Sequence, residues 1–185
     1  LARADVWERE GFPDAAQRIA QLAEQRQQFS QLQQRALLEG LANVLFRLQD
    51  LQGATEMWVS IAELQPDDVL VHFRLFNLAM ERDDDSAAKS MSRLREIEGD
   101  EGAFVRAARA IQLVERAEPG NRAALGDARS IVRRLAGQRP AWALVPLTEA
   151  RIDELEGDYD AAARRYEEAI RLGHRDPRVL LRAIQ

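Results

Sequence analysis

A length of 185 residues and a net charge of −5 already narrow the classes of function open to this chain. A general nucleic-acid binder normally carries a basic excess, whereas this chain has 31 acidic and 26 basic side chains. Cysteine is absent, which excludes disulfides, thiolate catalysis and cysteine-based zinc sites. No apolar run reaches the roughly 18–20 residues of a membrane span, so we expect no membrane insertion by this segment.

Helical spacing dominates the sequence. Apolar residues recur three and four positions apart almost throughout, and strand-like alternation is essentially absent, which predicts an all-α fold. Near the start, residues 11–16 indicate a turn that leads into a helix. Residues 14–48 then fit either one long helix or two helices broken near Ser30. The apolar stripe of this region comprises Ile19, Leu22, Phe29 and Leu32.

A complete helix–turn–helix unit follows at residues 35–68. Its turn lies at residues 49–53, and Pro66 ends its second helix. The same order of turn, small residue, aromatic residue and terminating proline returns within residues 143–177. We therefore expect both copies to bury equivalent positions, which are Leu38, Leu41, Ala42, Leu45, Ala54, Trp58 and Ile61 in the first and Ala162, Tyr166 and Ala169 in the second.

The units beside these two copies are less regular. Residues 69–101 and 102–142 are predicted helix pairs on the strength of their helical periodicity. Residues 178–185 are predicted to start a further helix, because Asp176 offers a cap and a proline suits the first helical turn. The turns within the two middle units lie at residues 83–85 and near Pro119.

These repeated features resemble the tetratricopeptide repeat family. Small residues open the second helix of each unit, namely Ala16, Ala54, Ala88, Ala128 and Ala162. Two of their four intervals equal the family's usual period of about 34 residues. The resemblance implies an α-α superhelix, a solenoid of antiparallel helix pairs, and the start at leucine suggests an excerpt of a longer bacterial protein. The implied units are a degenerate cap at 1–34, repeats at 35–68, 69–101, 102–142 and 143–177, and the start of a further helix at 178–185.

Catalytic and metal-binding patterns are poor. The only histidines, His72 and His174, have no metal-ligand partner at helical or short-loop spacing. The sequence has no glycine-rich phosphate loop and no nucleophile elbow. The acidic residues at 67–68 and 83–85 are explained by helix capping and turn solvation. We therefore expect no enzymatic activity, no metal and no cofactor.

Binding residues are expected on the first helix of each unit, because the resemblance implies that these helices line the concave face of the solenoid. Asn43 and Asn77 occupy the same phase of consecutive units. An asparagine amide offers a donor and an acceptor to one peptide unit, so it can hold an extended backbone. The alternative is that both amides face solvent or bond to a neighbouring repeat. The same phase gives Arg109 and Arg151 in the next two units. The remaining candidates lie beside this row and were chosen for charge or apolar contact: Arg74, Arg106 and Phe73.

The functional prediction is a protein–protein interaction scaffold whose concave face grips an extended or acidic peptide. Its arginines would favour carboxylates. Glu39 stands where the chaperone-tail-binding branch of the family has a lysine, which disfavours that partner. The alternative is a structural segment that stacks on other repeats, on a second copy through the repeat ends, or on a domain elsewhere in a larger protein. The composition fits the cytoplasm and the periplasm equally.

Overall fold

The computed structural model describes residues 1–82, 84–118 and 121–183, with the backbone alone at 177–178. Over these ranges the regular structure is entirely helical, so the all-α prediction is confirmed. None of these helices is both long and apolar enough to cross a bilayer. In chain order they are α1 (Ala2–Arg9), α2 (Ala15–Glu24), a 3-10 turn (Gln25–Gln28), α3 (Gln31–Arg47), α4 (Leu51–Leu64), α5 (Val69–Glu81), α6 (Ser86–Glu98), α7 (Ala103–Glu115), α8 (Arg122–Gln138), α9 (Leu144–Glu156), α10 (Tyr159–Arg171) and α11 (Pro177–Arg182).

Residues 14–48 contain two α-helices, α2 and α3, rather than one long helix. A 3-10 turn follows α2, and α3 begins directly after Ser30. The Ser30 Oγ accepts a hydrogen bond from the Gln33 backbone N–H at 3.4 Å, and the Gln33 Oε1 accepts one from the Ser30 backbone N–H at 3.0 Å. This reciprocal cap satisfies two N–H groups that a helix start otherwise leaves without a partner. The break near Ser30 is therefore built into the local sequence.

Aspartates start the second helix in both of the best-matching units. The Asp50 Oδ1 accepts from the Gly53 N–H at 2.9 Å, and the Asp158 Oδ1 accepts from the Ala161 N–H at 3.0 Å. The residue before each aspartate has left-handed backbone, with φ of 62° at Gln49 and 84° at Gly157. The two turns thus share one geometry although one uses glutamine and the other glycine.

The chain forms two compact units, each with its own core: unit 1 is Leu1–Ile97 and unit 2 is Glu98–Gln185. In unit 1 a three-residue connection joins α3 to α4, and the two helices pack along each other, so they are antiparallel. Each position predicted to be buried in residues 35–68 is at most 7% exposed. The predicted helix pair and its apolar interface are therefore confirmed.

Unit 2 repeats this construction with α9 and α10. Tyr166 is 1% exposed, and its hydroxyl donates to the Glu154 carboxylate at 2.6 Å. Ala162 and Ala169 are buried as predicted, and Val179 of α11 joins the same core cluster. Of the predicted features, residues 83, 119–120 and 184–185 lie outside the described ranges. The division of the chain into repeats stays a prediction.

A buried charge network also ties α8, α9 and α10 together. Asp153 of α9 is 3% exposed, and its Oδ1 accepts from the Arg129 guanidinium at 2.8 Å. The Arg165 guanidinium lies against the other oxygen. Arg129 also bonds Glu156 at 2.6 Å, and Arg165 bonds Glu149 at 3.1 Å. Since a buried carboxylate without these partners would be costly, the network makes the relative placement of the three helices specific.

Candidate functional site

Helices α1, α2 and α4 pack against α3 in unit 1, an ion pair joins α3 to the start of α5, and one side of α3 stays open. Helix α4 covers the side that carries Leu41. Helix α1 lies along a second side, where the Leu1 side chain packs on Gly40. The Arg47 guanidinium on that side bonds the Glu8 carboxylate at 2.5 and 2.7 Å. These contacts define which direction around α3 remains exposed.

The N-terminus of α5 marks the third side. The Arg35 guanidinium pairs with the Asp68 carboxylate at 2.7 Å, and Asp68 caps α5 through the N–H groups of Leu70 and Val71. At about 100° per residue, Asn43 lies around α3 between these two contacts. It is about 40° from Arg47 in one direction and about 80° from Arg35 in the other. Asn43 is exposed. It therefore occupies the open strip between α1 and α5, away from the core.

Asn77 lies at a matching height on α5. It follows Asp68 by nine positions, and Asn43 follows Arg35 by eight, so both lie about 12–14 Å along their helices from the Arg35–Asp68 ion pair. Asn77 is half-buried. Neither asparagine side chain hydrogen-bonds to another residue within the described ranges. Two amides with free donors and acceptors thus lie on neighbouring helices of unit 1.

The open strip of α5 is narrow. Phe73 bounds it on one side: the ring is 8% exposed and stacks on Phe76 with 6.4 Å between centroids. Buried Val71 and Leu78 bound the other side. Phe73 was predicted to contact a partner, but its packing leaves the ring little surface to offer one.

Arg74 lies within this strip, one turn before Asn77. Its side chain is exposed and has no ion pair or hydrogen bond with the part of the chain that the structure describes. An unpaired guanidinium presents five donors, and it can bind a carboxylate with two parallel hydrogen bonds. The structure therefore places Arg74 beside the Asn77 amide with its charge uncompensated.

Two exposed leucines on the same faces were not among the predicted site residues. Leu70 is 54% exposed and precedes Asn77 by seven positions; Leu32 is 76% exposed and precedes Asn43 by eleven. These separations are close to two and three helical turns, so each leucine lies on the same face as its asparagine. The spacing was visible in the sequence, but exposure depends on packing. Leu32 was assigned to an apolar stripe and is instead exposed.

In unit 2, Arg106 and Arg109 lie on α7 near a carboxylate of the chain itself. Arg106 is half-buried and pairs with Glu101, whereas Arg109 is exposed. The hydrogen bond from Arg106 lowers the pKa of Glu101, and the charges of Arg106, Arg134 and Arg109 add to this effect. These arginines therefore already attract an acidic group.

Arg151 of α9 is part of an internal network. Its guanidinium bonds Glu154 at 2.6 Å and lies 3.5 Å from the Glu115 carboxylate. Arg182 of α11 donates to both oxygens of Glu154, at 2.6 and 2.7 Å. Burial alone would raise the pKa of Glu154, but hydrogen bonds from Tyr166 and Arg151 outweigh it and lower the pKa. The predicted binding residue Arg151 thus helps to hold α11 on unit 2.

A cleft of about 250 Å³ lies between α2 and α4 in unit 1. Its floor is apolar, and its two carboxylates are already bonded: Asp50 caps Gly53, and Glu56 accepts from Gln52 at 2.8 Å. No group of three metal-ligating side chains occurs in the described ranges. The candidate site on α3 and α5 therefore offers the amides of Asn43 and Asn77 and the guanidinium of Arg74, which has no ion pair in the described ranges.

The chain matches no known family model and no curated protein. Solved structures similar to it include a tetratricopeptide repeat protein from Parabacteroides merdae, which is 12% identical with a TM-score of 0.47 and covers 98% of this chain and 88% of its own. A MamA structure (MSR-1 C2) is 18% identical with a TM-score of 0.41 and covers 93% and 97%. Neither protein's role is transferred to this chain at such similarity. The packed antiparallel helix pairs within the units do give the chain a tetratricopeptide-like helical-repeat fold, as its sequence predicted.

Proposed function

We propose that unit 1 is a protein-interaction module that binds an extended peptide segment of a partner protein across α3 and α5. The observation that carries this proposal is the pair of amides at Asn43 and Asn77. Asn43 is exposed and Asn77 is half-buried, they lie at matching heights on their helices, and neither has a hydrogen-bond partner within the described ranges. Each amide can pair with one peptide unit of an extended backbone whatever its side chains are. The module binds its partner and performs no catalysis.

Acidic side chains of the partner are the preferred contacts of Arg74 in unit 1. Arg106 and Arg109 in unit 2 offer a further acidic contact, since they already attract Glu101. Arg151 makes a smaller contribution to such binding because Glu154 and Glu115 occupy its guanidinium.

The double substitution Asn43→Ala and Asn77→Ala tests this mechanism. Each lost hydrogen bond contributes about 0.5–1.5 kcal/mol, so peptide binding is expected to weaken roughly 5- to 150-fold. Stability should not fall, because alanine has a higher helix propensity than asparagine. Fluorescence anisotropy with a library of short extended peptides measures the first effect, and thermal unfolding measures the second.

The matched control is Gln21→Ala, which removes an exposed amide from α2. Unchanged affinity in the double asparagine variant would sink the mechanism. An equal loss in the Gln21 variant would show that the effect is not specific to the two asparagines. Arg109→Glu in the same titration tests the separate acidic contact in unit 2.

A second candidate function is end-to-end stacking of repeats. Helix α11 buries Val179 in unit 2 but leaves Leu180 and Leu181 43% and 59% exposed. Adjacent exposed leucines on a docked helix are suited to packing against another helix, such as one from a second copy of the chain. This function needs no peptide ligand.

A further inference from the structure

The exposed strip of α5 carries several different chemical groups, and these could select the side chains of a partner as well as bind its backbone. Leu70, Arg74 and Asn77 follow one another at intervals of four and three residues, so they lie within an arc of roughly 60° on one face. Leu70 is 54% exposed, and Arg74 is exposed with no ion-pair partner in the described ranges. An apolar contact, a cation and an amide are thus aligned along the helix.

Packing on both sides fixes the width of this strip. Phe73 on one side is stacked on Phe76, and Val71 and Leu78 on the other side are buried in the unit 1 core. None of these side chains offers more than 8% of its surface. A partner that lies on α5 therefore meets Leu70, Arg74 and Asn77, with the exposed Glu81 one turn beyond Asn77 at the end of the same strip.

The spacing of the groups matches an extended peptide. Leu70 and Arg74 are about 6 Å apart along the helix axis. In an extended chain, side chains two positions apart point to the same side and are separated by about 6.6–6.8 Å. One such step therefore spans from Leu70 to the Arg74 guanidinium. The peptide backbone that continues past the carboxylate then runs towards the Asn77 amide, which lies beyond Arg74 on α5.

We propose that unit 1 selects a partner segment with an apolar side chain and a carboxylate two positions apart. The apolar side chain packs on Leu70, the carboxylate pairs with Arg74, and the adjoining peptide unit bonds Asn77. This inference rests on the proposed function and adds the chemistry of the recognised side chains. Charge complementarity identifies the carboxylate, because Arg74 has no ion-pair partner in the described ranges and Glu81, the acidic group on the same strip, lies about 10 Å farther along the helix.

The probes are fluorescent peptides of one composition in a glycine–serine background, titrated against the full chain. One has leucine and aspartate two positions apart, a second has them adjacent, and a third replaces the aspartate with asparagine. We expect the first to bind about tenfold more tightly than the other two. Leu70→Ser should remove the dependence on the peptide leucine, and Arg74→Gln should remove the preference for aspartate over asparagine.

Matched controls lie in unit 2. Leu180→Ser and Arg133→Gln replace an exposed leucine and an exposed arginine, and neither should alter the preference. If peptide affinity depends on Asn43 and Asn77 but not on the leucine and aspartate of the peptide or on their spacing, this inference is wrong and the proposed function is still supported. If neither these three peptides nor any of the short extended peptides tested above binds the chain, both this inference and the proposed function are wrong.

Discussion

Individual residues decide the turns of this protein. Gln49 and Gly157 occupy the same left-handed position, each followed by an aspartate that caps the next helix. A left-handed backbone costs an L-residue with a side chain about 1–2 kcal/mol, and glycine avoids that cost. Residue 49 therefore carries strain that residue 157 does not.

Substituting Gln49→Gly should stabilise unit 1 by about 0.5–1 kcal/mol, because relief of the strain outweighs the larger unfolded-state entropy of glycine. The reverse change at the matching turn, Gly157→Gln, should destabilise unit 2 by a similar amount. The urea midpoint of each variant measures the effect. A fall in stability for Gln49→Gly would show that the side chain, which reaches only a long 3.5 Å contact with the Phe46 carbonyl, matters more than the backbone.

In the candidate site, the type of a residue alone does not show whether its side chain is available to a partner. Phe73, Arg74 and Arg151 were all plausible binding residues in the sequence. Phe73 is only 8% exposed, Arg151 lies 3.5 Å from Glu115 of α7, and Arg74 alone of these three is exposed with no ion pair or hydrogen bond in the described ranges. The sequence supplies a side chain's chemistry, whereas the distant residues that fold onto it determine whether that chemistry is still free.

At the scale of elements, caps and periodicity account for most of the helices. The stripe at Leu38, Leu41 and Leu45 and the cap at Ser30 involve residues at most four positions apart. Such signals can be read from local sequence. The charge network around Asp153 could not be, because its arginines come from α8 and α10, 24 residues before and 12 after it.

The docking of α11 on unit 2 depends on one ionised carboxylate. Glu154 has a lowered pKa in the folded chain because hydrogen bonds from Tyr166 and Arg151 overcome the effect of its burial. A carboxylate whose pKa is lowered by folding stabilises the fold at pH values above its ordinary pKa of 4.5. This stabilisation is lost as the pH falls through the pKa of the folded state. Acidification below about pH 4.5 should therefore loosen the contact between Arg182 and α9.

Glu154→Gln tests this linkage. The variant should lose about 1–2 kcal/mol at neutral pH, since its amide forms weaker hydrogen bonds with both arginines. It should also lose less further stability than the parent chain on acidification. Urea unfolding at neutral and acidic pH measures both effects, with Glu167→Gln on exposed α10 surface as the control. Equal acid sensitivity of the Glu154 variant and the parent would contradict the assignment.

At the scale of the whole molecule, the two units have separate cores and offer different surfaces. Unit 1 presents the Asn43 and Asn77 amides, and unit 2 presents the exposed leucines of α11. The two proposed functions, peptide binding by the Asn43 and Asn77 amides and stacking through α11, are therefore separable by substitution. Substitutions in one unit should leave the function of the other intact.

End-to-end stacking predicts concentration-dependent association of the chain. Sedimentation velocity should show a shift from monomer to larger species as concentration rises, and Leu180→Ser with Leu181→Ser should abolish it by removing the apolar contact. Peptide affinity should be unchanged in this variant. A chain that stays monomeric at all concentrations would argue against stacking between copies.

The sequence by itself determined the helical class, the existence of the helix pairs α3–α4 and α9–α10, their buried faces and the 34-residue spacing of Asn43 and Asn77. These properties follow from local periodicity, capping and repeat spacing, which need no knowledge of distant contacts. Only the tertiary structure decided that Arg74 has no ion pair in the described ranges, that Glu115 of α7 lies against Arg151, and that Leu70 rather than Phe73 is exposed on the face of Asn77. The physical reason is that burial and ion pairing depend on which helices meet, and those helices lie far apart in the chain.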